Sequence, residues 1–308
     1  MRLGVLDVGS NTVHLIVVDA RPGGKPSPME DWKVPLRLVS QLDSEGNITP
    51  DGQATLINAI QEAKRLSQEL NCEEFLPIAT SAIRSATNGE QVLAEVAAQT
   101  GVTLTTVSGE EEARLTFLAV RRWYGWNAGR IMDLDIGGGS LELSTGVTEE
   151  PDAAFSVELG ANRLTNEWFD TDPPSKKAIH ELRDYIDETL REPAAALRAY
   201  GKPNLAVGTS KTFRTLARLT GAAPSSKGPY AVRTLSQPAI RQLIAFISRM
   251  TAADRAELEG LTSDRAEQIV AGALVAEASM RTLGLEQLQM CPWALREGVI
   301  LRRIEKGV

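Results

Sequence analysis

The first third of the chain alternates short apolar runs with turns, which predicts a β-rich start. Arg2–Asp7 has the pattern of a buried strand, a turn follows at residues 9–11, and Val13–Asp19 has the pattern of the returning strand. The elements predicted next are a strand at Trp32–Val39, a helix from Thr49 to about Leu70, a strand at Phe75–Thr80, a helix at Gln91–Gln99, a strand at Val102–Val107 and a helix from Gly109 to about Trp123. Strands followed by alternating strands and helices predict a mixed α/β domain.

The same pattern starts again at Arg130, with a strand, a turn and a strand. Aligning the two segments matches residues of similar type. The matched pairs are Asp7 with Asp135, Val8 with Ile136, Gly9 with Gly137, Thr12 with Ser140, Val13 with Leu141 and Leu15 with Leu143. Such a repeat predicts two domains built on one plan. A chance match between two short β-turn-β units is the alternative.

The second half of the chain is richer in helix than the first. Apolar residues at helical spacing cover Ser175–Tyr200, and a strand at Asn204–Val207 leads into a helix that ends near Leu219. Three more helices are predicted at Gln237–Met250, Asp264–Leu283 and Ala294–Ile304.

Length and charge narrow the range of functions. The 308 residues fit one large domain or two ordinary ones, and 43% apolar with 24% charged residues is typical of a globular protein with a full core. A formal charge of −7 argues against a general nucleic-acid binder, although a polyanionic substrate can bind in a local basic channel. No apolar run reaches the length of a membrane span, and Asp7 interrupts the apolar start too early for a signal peptide.

Histidine and cysteine are rare, which limits the metal and redox chemistry. The only histidines, His14 and His180, exclude zinc hydrolases built on several His ligands and argue against a Ser-His-Asp triad. Any metal should therefore be a hard ion held by carboxylates and phosphates. Cys72 and Cys291 lie far apart and neither belongs to a C-x-x-C motif, so we expect a protein of the reduced cytoplasm.

Two Asp-Gly turns carry the chemistry that the sequence suggests. A carboxylate at a strand end can hold Mg²⁺, and a following glycine lets phosphate oxygens approach the backbone amides. The first turn supplies Asp7, Gly9, Ser10 and Asn11, and the second supplies Asp135, Gly137, Gly138, Gly139, Ser140 and Glu142. Either turn alone fits an ordinary hairpin, but two in matching register favour a phosphate clamp between domains. A weaker candidate phosphate site is the strand-to-helix turn Gly208, Thr209 and Ser210.

Taken together, several motifs resemble the Ppx/GppA phosphatase family. The motifs are Asp7-x-Gly-Ser-Asn-Thr, Ser108-Gly-x-Glu-Glu-Ala-Arg-Leu, Asp135-Ile-Gly-Gly-Gly-Ser, Thr80-Ser-Ala-Ile-Arg, Leu159-Gly-Ala-x-Arg-Leu-Thr, Gly208-Thr and Arg296-Glu-Gly, and they run from Leu3 to about Leu301. This family contains exopolyphosphatases and guanosine pentaphosphate phosphohydrolases. The resemblance implies the α/β fold of two actin-like ATPase (ribonuclease H-like) domains with an interdomain cleft, and Mg²⁺ as cofactor.

The resemblance also implies roles for individual residues. It makes Glu112 the catalytic base, Arg84 a contact to substrate phosphate, and Asp135 and Glu142 metal-site residues. Asp7 is added to the metal ligands because its turn matches that of Asp135. From the residues alone, a structural role for Glu112 is favoured, since carboxylates in the first turn of a helix interact well with its dipole. Its neighbour Glu111 is expected to form a capping box with Ser108.

We therefore predict domains at residues 1–126 and 127–308, with the terminal helix at 294–308 packing back on the first. The predicted activity is release of terminal orthophosphate from polyphosphate, and the alternative is a guanosine pentaphosphate phosphohydrolase. A small-molecule kinase or a nucleotide-dependent assembly protein of the same superfamily is the alternative of another class. No nucleic-acid or membrane partner is expected, and a homodimer stays open. Longer family members carry an extra C-terminal helical domain, so we expect a weak grip on long chains.

Overall fold

The computed structural model describes residues 1–21, 23–24 and 26–305. Its strands are β1 Arg2–Val8, β2 Thr12–Asp19, β3 Ser27–Pro35, β4 Glu74–Ala79, β5 Thr105–Thr106, β6 Ile131–Ile136, β7 Leu141–Gly146, β8 Ala153–Val157, β9 Leu205–Gly208, β10 Thr234–Ser236 and β11 Gln287–Met290. Its α-helices are α1 Pro50–Glu69, α2 Ser81–Ser85, α3 Gly89–Thr100, α4 Gly109–Tyr124, α5 Ala161–Trp168, α6 Lys176–Arg198, α7 Lys211–Leu219, α8 Gln237–Ile247, α9 Ala252–Ala256, α10 Ser263–Ala266, α11 Ile269–Thr282 and α12 Leu295–Glu305.

Two sheets organise the chain, and they share one topology. The first has the strand order β3-β2-β1-β4-β5, with β2 antiparallel and β4 parallel to β1. The second has the order β10-β11-β9-β6-β7-β8, with β7 antiparallel and β9 parallel to β6. Counted from its first strand, β6, the second sheet repeats the order of the first and adds β10 at one edge. This confirms the predicted fold class of two α/β domains built on one plan.

The repeat seen in the sequence also holds in the hydrogen bonds. Asp7 pairs with His14 across β1 and β2, and Asp135 pairs with Glu142 at the matching place in β6 and β7. In the first turn the amide of Gly9 donates to the carbonyl of residue 12 at 3.0 Å, and in the second the amide of residue 137 donates to the carbonyl of residue 140 at 2.9 Å. The alignment of the two turns is therefore correct, and chance does not explain it.

The chain divides into two compact units. One unit comprises Met1–Leu115 together with the chain from Leu295 onwards, and the other is Thr116–Ala294. The sequence placed the division after residue 126, whereas the compact units divide inside helix α4. The reason is that α4 serves two cores: Leu115 packs in a cluster of the first unit, and Phe117 packs in a cluster of the second.

The terminal helix belongs to the core of the first unit. Ile300 and Ile304 on α12 pack against the face of β1 and β2 that carries Leu3, Val5 and Ile16. The helix ends at Glu305, so positions 306–308 of the predicted helix lie outside the described residues. The other face of the same sheet packs against α1, α2 and α3, and its largest cluster includes Leu6, Val8 and Leu15.

Some predicted elements are displaced or missing. The third strand is β3, which ends at Pro35, because the amides of Leu36 and Leu38 donate to the carbonyls of Asn11 and Ser10 instead of a strand partner. The strand predicted at 102–107 shrinks to β5, and the helix predicted at 264–283 divides into α10 and α11. Strands β8, β10 and β11 and helix α5 were not predicted, since each is short, with between three and eight residues.

Candidate active site

Glu112 and Arg84 lie side by side in the first unit. Nη1 of Arg84 lies 3.5 Å from Oε2 of Glu112, and the two side chains are 26% and 15% exposed. Arg84 stands on the short helix α2, and the same Nη1 donates to the carbonyl of Val107 at 2.6 Å. The structure therefore brings together a carboxylate that can accept a proton and a guanidinium that can hold phosphate oxygens.

Glu111 points to a different partner from that of Glu112. The hydroxyl of Ser108 accepts a hydrogen bond from the amide of Glu111 at 3.1 Å, which is one half of the predicted capping box. The carboxylate of Glu111 lies 3.5 Å from Nη1 of Arg302 on helix α12. Nearby, Gly298 lies so close to α4 that a Cβ built on it would meet the carbonyl oxygen of Leu115 at 2.0 Å. Helix α12 therefore fixes the first turn of α4, which carries Glu112.

Asp7 ends β1 in a largely buried ion pair with Arg296 of α12. Nη1 of Arg296 lies 3.2 Å from Oδ2 of Asp7. The second oxygen of Asp7 and Nε of Arg296 have no hydrogen-bond partner among the described residues. Burial raises the pKa of Asp7, although the Arg296 guanidinium opposes this shift. The sequence predicted Asp7 as a metal ligand, and the structure places it against a cation.

His14 stands opposite Asp7 in the sheet. Its Nε2 lies 2.7 Å from Oδ1 of Asp31. Burial, assisted by the charge of Arg296, lowers the pKa of His14 to about 4, although the Asp31 carboxylate works in the opposite direction. The ring is therefore neutral near pH 7 and fills a strand position, as predicted for a packed histidine.

The turn of Gly9, Ser10 and Asn11 is tied to its surroundings by its carbonyl and hydroxyl groups. The carbonyls of Ser10 and Asn11 accept the amides that follow β3, as described above. The hydroxyl of Ser10 lies 3.2 Å from that of Ser81, which opens the helix that carries Arg84. The predicted phosphate turn and the predicted phosphate arginine thus occupy neighbouring segments of one unit.

In the second unit, Asp135 and Glu142 face each other across β6 and β7. The Thr209 hydroxyl donates to Oδ2 of Asp135 at 2.6 Å, and the Ser156 hydroxyl donates to Oε1 of Glu142 at 2.8 Å. Glu142 is buried. Each carboxylate therefore has a hydroxyl donor that sets its orientation, as outer partners of metal ligands do. Ser156 was not predicted, because nothing in the sequence marks β8.

The glycine-rich turn of residues 137–140 is held by the start of helix α5. The amide of Ala161 donates to the carbonyl of Gly137, and those of Asn162 and Arg163 donate to the carbonyl of Gly138, each at 3.0 Å. Nε of Arg163 donates to the carbonyl of Gly139 at 3.1 Å. A Cβ on residue 160 would meet the residue 139 carbonyl carbon at 2.2 Å, so only glycine fits there. The motif at residues 159–165 was noticed in the sequence, but its contact with the glycine-rich turn was not predicted.

Gly208, Thr209 and Ser210 have three different local roles. Gly208 is a close-packed glycine, since a Cβ there would meet the ring of Phe213 at 2.9 Å. Thr209 is the donor to Asp135 described above, and its carbonyl accepts Nη1 of Arg214 at 2.8 Å. The Ser210 hydroxyl caps helix α7 by accepting the amide of residue 213. Of these three residues, Thr209 is the one whose side chain contacts a carboxylate of the second unit, that of Asp135.

Asp133 is a site residue that sequence reasoning missed. It lies two positions before Asp135 and pairs with Ser144 across the sheet, and it is 2% exposed. Burial raises its pKa well above the usual range, and the charges of Asp135 and Glu142 add to the shift. The alternation of a strand places residues 133 and 135 on one face, so this period of two was the signal.

The donor set of the second unit fits Mg²⁺. Within the described ranges, no group of three or more His, Cys, Asp and Glu side chains is arranged to hold a metal ion. Mg²⁺ commonly takes one or two protein carboxylates and completes its octahedron with water and substrate phosphates, so Asp135 and Glu142 suffice. No helix in the described part of the chain is both long and apolar enough to cross a membrane.

Comparison with known families decides the relationship. The model of the Ppx/GppA phosphatase family matches residues 16–306. The chain belongs to this family. The predicted resemblance is thereby confirmed, and so is the enzyme class of a phosphoanhydride hydrolase.

Curated relatives and solved structures agree with this assignment. The chain is 61% identical over 305 residues to exopolyphosphatase 1 of Mycobacterium tuberculosis, covering 99% of this chain and 89% of the relative. It is 59% identical to exopolyphosphatase 1 of Mycobacterium leprae, covering 99% and 90%. The exopolyphosphatase structure from Cytophaga hutchinsonii superimposes with a TM-score of 0.89 at 24% identity, covering 99% and 98%. The Aquifex aeolicus PPX-GPPA enzyme superimposes with a TM-score of 0.81 at 25% identity, covering 98% and 99%.

Proposed function

We propose that this chain is an exopolyphosphatase that releases orthophosphate from the end of a polyphosphate chain. The pairing of Glu112 with Arg84 carries the proposal, because it unites a proton acceptor and a phosphate-binding guanidinium. Both residues stand where the family motifs expect the base and the phosphate contact. Two mycobacterial relatives named exopolyphosphatase 1 support the same activity.

In this reaction a water oxygen bonds to the terminal phosphorus while the bond from that phosphorus to its bridging oxygen breaks. Glu112 orients the water and accepts its proton. Arg84 stabilises the negative charge on the equatorial oxygens, since positioning and electrostatics dominate phosphoryl transfer. The products are orthophosphate and a chain that is one phosphate shorter.

Asp135 and Glu142 are the side chains that would hold Mg²⁺. When bound, the ion would neutralise charge on the terminal phosphate oxygens. Thr209 and Ser156 keep the two carboxylates oriented through their hydroxyl groups. Asp7 was predicted as a third ligand, and its ion pair with Arg296 would have to open for that role.

The two glycine-rich turns and the turn after β9 are proposed to bind substrate phosphates through amides and hydroxyls. The residues proposed for this role are Gly9, Ser10, Asn11, Gly137, Gly138, Gly139, Ser140, Gly208, Thr209 and Ser210. Identical phosphates need only repeated contacts of this kind, whereas guanosine would also need a pocket with an apolar wall and specific donors. We therefore expect short or moderate polyphosphate to be preferred over guanosine pentaphosphate.

One assay tests the activity and separates the alternatives. Orthophosphate release is measured from short polyphosphate, long polyphosphate, guanosine pentaphosphate and ATP, each without an acceptor. The proposal expects the highest kcat/KM on short polyphosphate and a decline as salt rises, because phosphate contacts release counterions. Higher kcat/KM on pentaphosphate would reverse the substrate choice. Release only when an acceptor is added would indicate a kinase.

Location and assembly complete the proposal. We place the enzyme in a reducing cytoplasm, and the free thiols of Cys72 and Cys291 are compatible with this location. Light scattering of the purified chain would test whether it forms a homodimer.

A further inference from the structure

Two buried polar side-chain atoms without hydrogen-bond partners, one on Asp133 and one on Ser144, belong to residues that are neighbours behind the proposed cation site. Asp133 and Ser144 are directly opposite in the pairing of β6 and β7, and they are 2% and 1% exposed. Oδ1 of Asp133 and Oγ of Ser144 make no hydrogen bond to any residue that the structure describes. Buried polar atoms are rarely left in this state, because the lost hydration is not replaced.

Both groups face the same side of the sheet as the proposed ligands. Strand side chains alternate, so the row of Asp133 and Ser144 lies about 7 Å below the row of Asp135 and Glu142 on one face. The face is therefore a continuous polar strip inside the second unit.

Neighbouring hydroxyl groups do not satisfy these atoms. Tyr124, on helix α4 in the cluster that includes Ile131, donates to the carbonyl of Met290 at 3.3 Å. The hydroxyl of Thr145 belongs to the opposite face and donates to the carbonyl of Ile131 at 2.9 Å. Side chains opposite each other in a sheet have Cβ atoms about 5 Å apart, a separation that one water molecule can bridge.

We propose that Asp133 and Ser144 hold an ordered water molecule between them and that the pair acts as a positioning device for the cation site at Asp135 and Glu142. The inference rests on the proposed function, since it presupposes a divalent cation at that site. The water has two protein partners below and directs its remaining hydrogen bond towards the carboxylate row. Outer partners of this kind hold metal ligands in one orientation and thereby set metal affinity.

The test is the affinity of the full chain for Mn²⁺, measured by titration calorimetry and by electron paramagnetic resonance without substrate. Ser144→Ala removes one partner of the water and should weaken binding about 10-fold, the lower end for such partners. Ser144→Thr keeps the hydroxyl and should restore most of the affinity. Asp133→Ala should weaken binding by a similar factor, and Asp133→Asn, which keeps two polar atoms, should retain most of it.

Ser279→Ala provides the matched control. Ser279 on α11 is also fully buried with an Oγ that lacks a described partner, but its helix packs against the opposite face of the sheet. Its loss should leave Mn²⁺ affinity unchanged. Thermal unfolding identifies any variant that does not fold, and the two Ser144 variants suffice if Asp133→Ala fails.

Each outcome decides the proposal. Unchanged Mn²⁺ affinity in Ser144→Ala would overturn it. An equal loss of affinity in Asp133→Asn and Asp133→Ala would also overturn it, because that result assigns the effect to the charge of Asp133. Equal loss in Ser279→Ala would show a general packing effect and also overturn it. Wild-type hydrolysis of polyphosphate is measured in parallel. Suppose that the wild type hydrolyses polyphosphate and that Ser144→Ala and Asp133→Ala bind Mn²⁺ as tightly as the wild type does. The positioning role then fails and the exopolyphosphatase proposal stands.

Discussion

Arg84 reaches two acceptors with one nitrogen: Nη1 lies 2.6 Å from the carbonyl oxygen of Val107 and 3.5 Å from Oε2 of Glu112. The backbone contact is short and the carboxylate contact is longer than a charge-assisted hydrogen bond of about 2.8 Å. The backbone therefore anchors the guanidinium, and the Glu112 carboxylate lies beside it at ion-pair distance. Catalytic contacts that are loose before substrate binds commonly tighten afterwards.

Glu112→Gln should fold normally and lose activity by roughly 10²–10⁴-fold, because the amide cannot accept the proton of the attacking water. Glu111→Gln is the matched control on the adjacent position, where the carboxylate meets Arg302. It should retain most activity and lose at most about 1 kcal/mol of stability, since its contacts are partly exposed. Steady-state phosphate release measures both. A larger loss of turnover in the Glu111 variant would mean that Glu112 is not the base.

Arg84→Lys should lower kcat/KM by about 10²-fold, because an ammonium lacks the planar fork of donors that can bind the Val107 carbonyl and substrate oxygens together. Arg65→Lys on α1 is the control, since Arg65 is half exposed and pairs with Glu62 on its own helix. It should behave like the wild type. The comparison uses kcat/KM for one short polyphosphate at fixed salt, and equal values for the two variants would remove Arg84 from the site.

Asp135→Asn and Glu142→Gln should each raise the Mg²⁺ concentration needed for half-maximal activity, because they remove charge from a hard-ion site. Ser156→Ala should raise it about 10-fold by releasing the Glu142 carboxylate. Activity is measured across a magnesium titration. Full activity of the wild type in excess chelator would contradict the proposal of a metal site.

Arg296→Met should destabilise the first unit by up to about 3 kcal/mol, because it leaves the buried Asp7 carboxylate without its cation. Adding Asp7→Asn to it should recover part of that loss, since the unpaired charge is removed. Arg191→Met is the control, because Arg191 and its partner Glu188 are mostly exposed and their pair contributes little. Asp7→Asn is also measured alone, so urea unfolding compares four variants with the wild type. Additive losses in the double variant would mean that the two residues do not interact.

His14 should make the protein less stable as pH falls below about 6.5. The unfolded chain takes up the proton near its ordinary pKa of 6.5, whereas the folded chain resists it until about pH 4. Stability from this residue is therefore complete above pH 6.5, is lost between pH 6.5 and about pH 4, and is level below that. The total effect is about 3 kcal/mol at most. His14→Asn should flatten this part of the curve of unfolding free energy against pH, and an unchanged slope would contradict the assignment.

Local patterns predicted more of the site than distant contacts did. The turns at Asp7 and Asp135 were predicted because strand, turn and strand are encoded by neighbouring residues, and their hydrogen bonds match. The motif around Arg296 was noticed, but its partner Asp7 lies 289 residues away, and no local period reveals such a pairing. Asp133 was overlooked because a carboxylate inside a buried strand contradicts the usual preference for apolar residues.

The element prediction failed where packing replaces periodicity. Strand β11 has four residues and was not predicted, because so short an apolar alternation is also common in loops. The sequence prediction placed the division between the units after residue 126. The chain instead passes from one unit to the other within a regular helix, and a helix that serves two cores has no sequence marker.

The position of α12 sets an order of assembly during synthesis. The face of β1 and β2 that carries Leu3 and Ile16 leaves the ribosome early, but Ile300 and Ile304 cover it only at the end. At translation rates of about 5–20 residues per second this delay is roughly 15–60 s. The second unit is contiguous in sequence and can finish first. The half that holds Glu112 is thus the first to be started and the last to be closed, and its exposed strands are where a nascent-chain chaperone would be needed most.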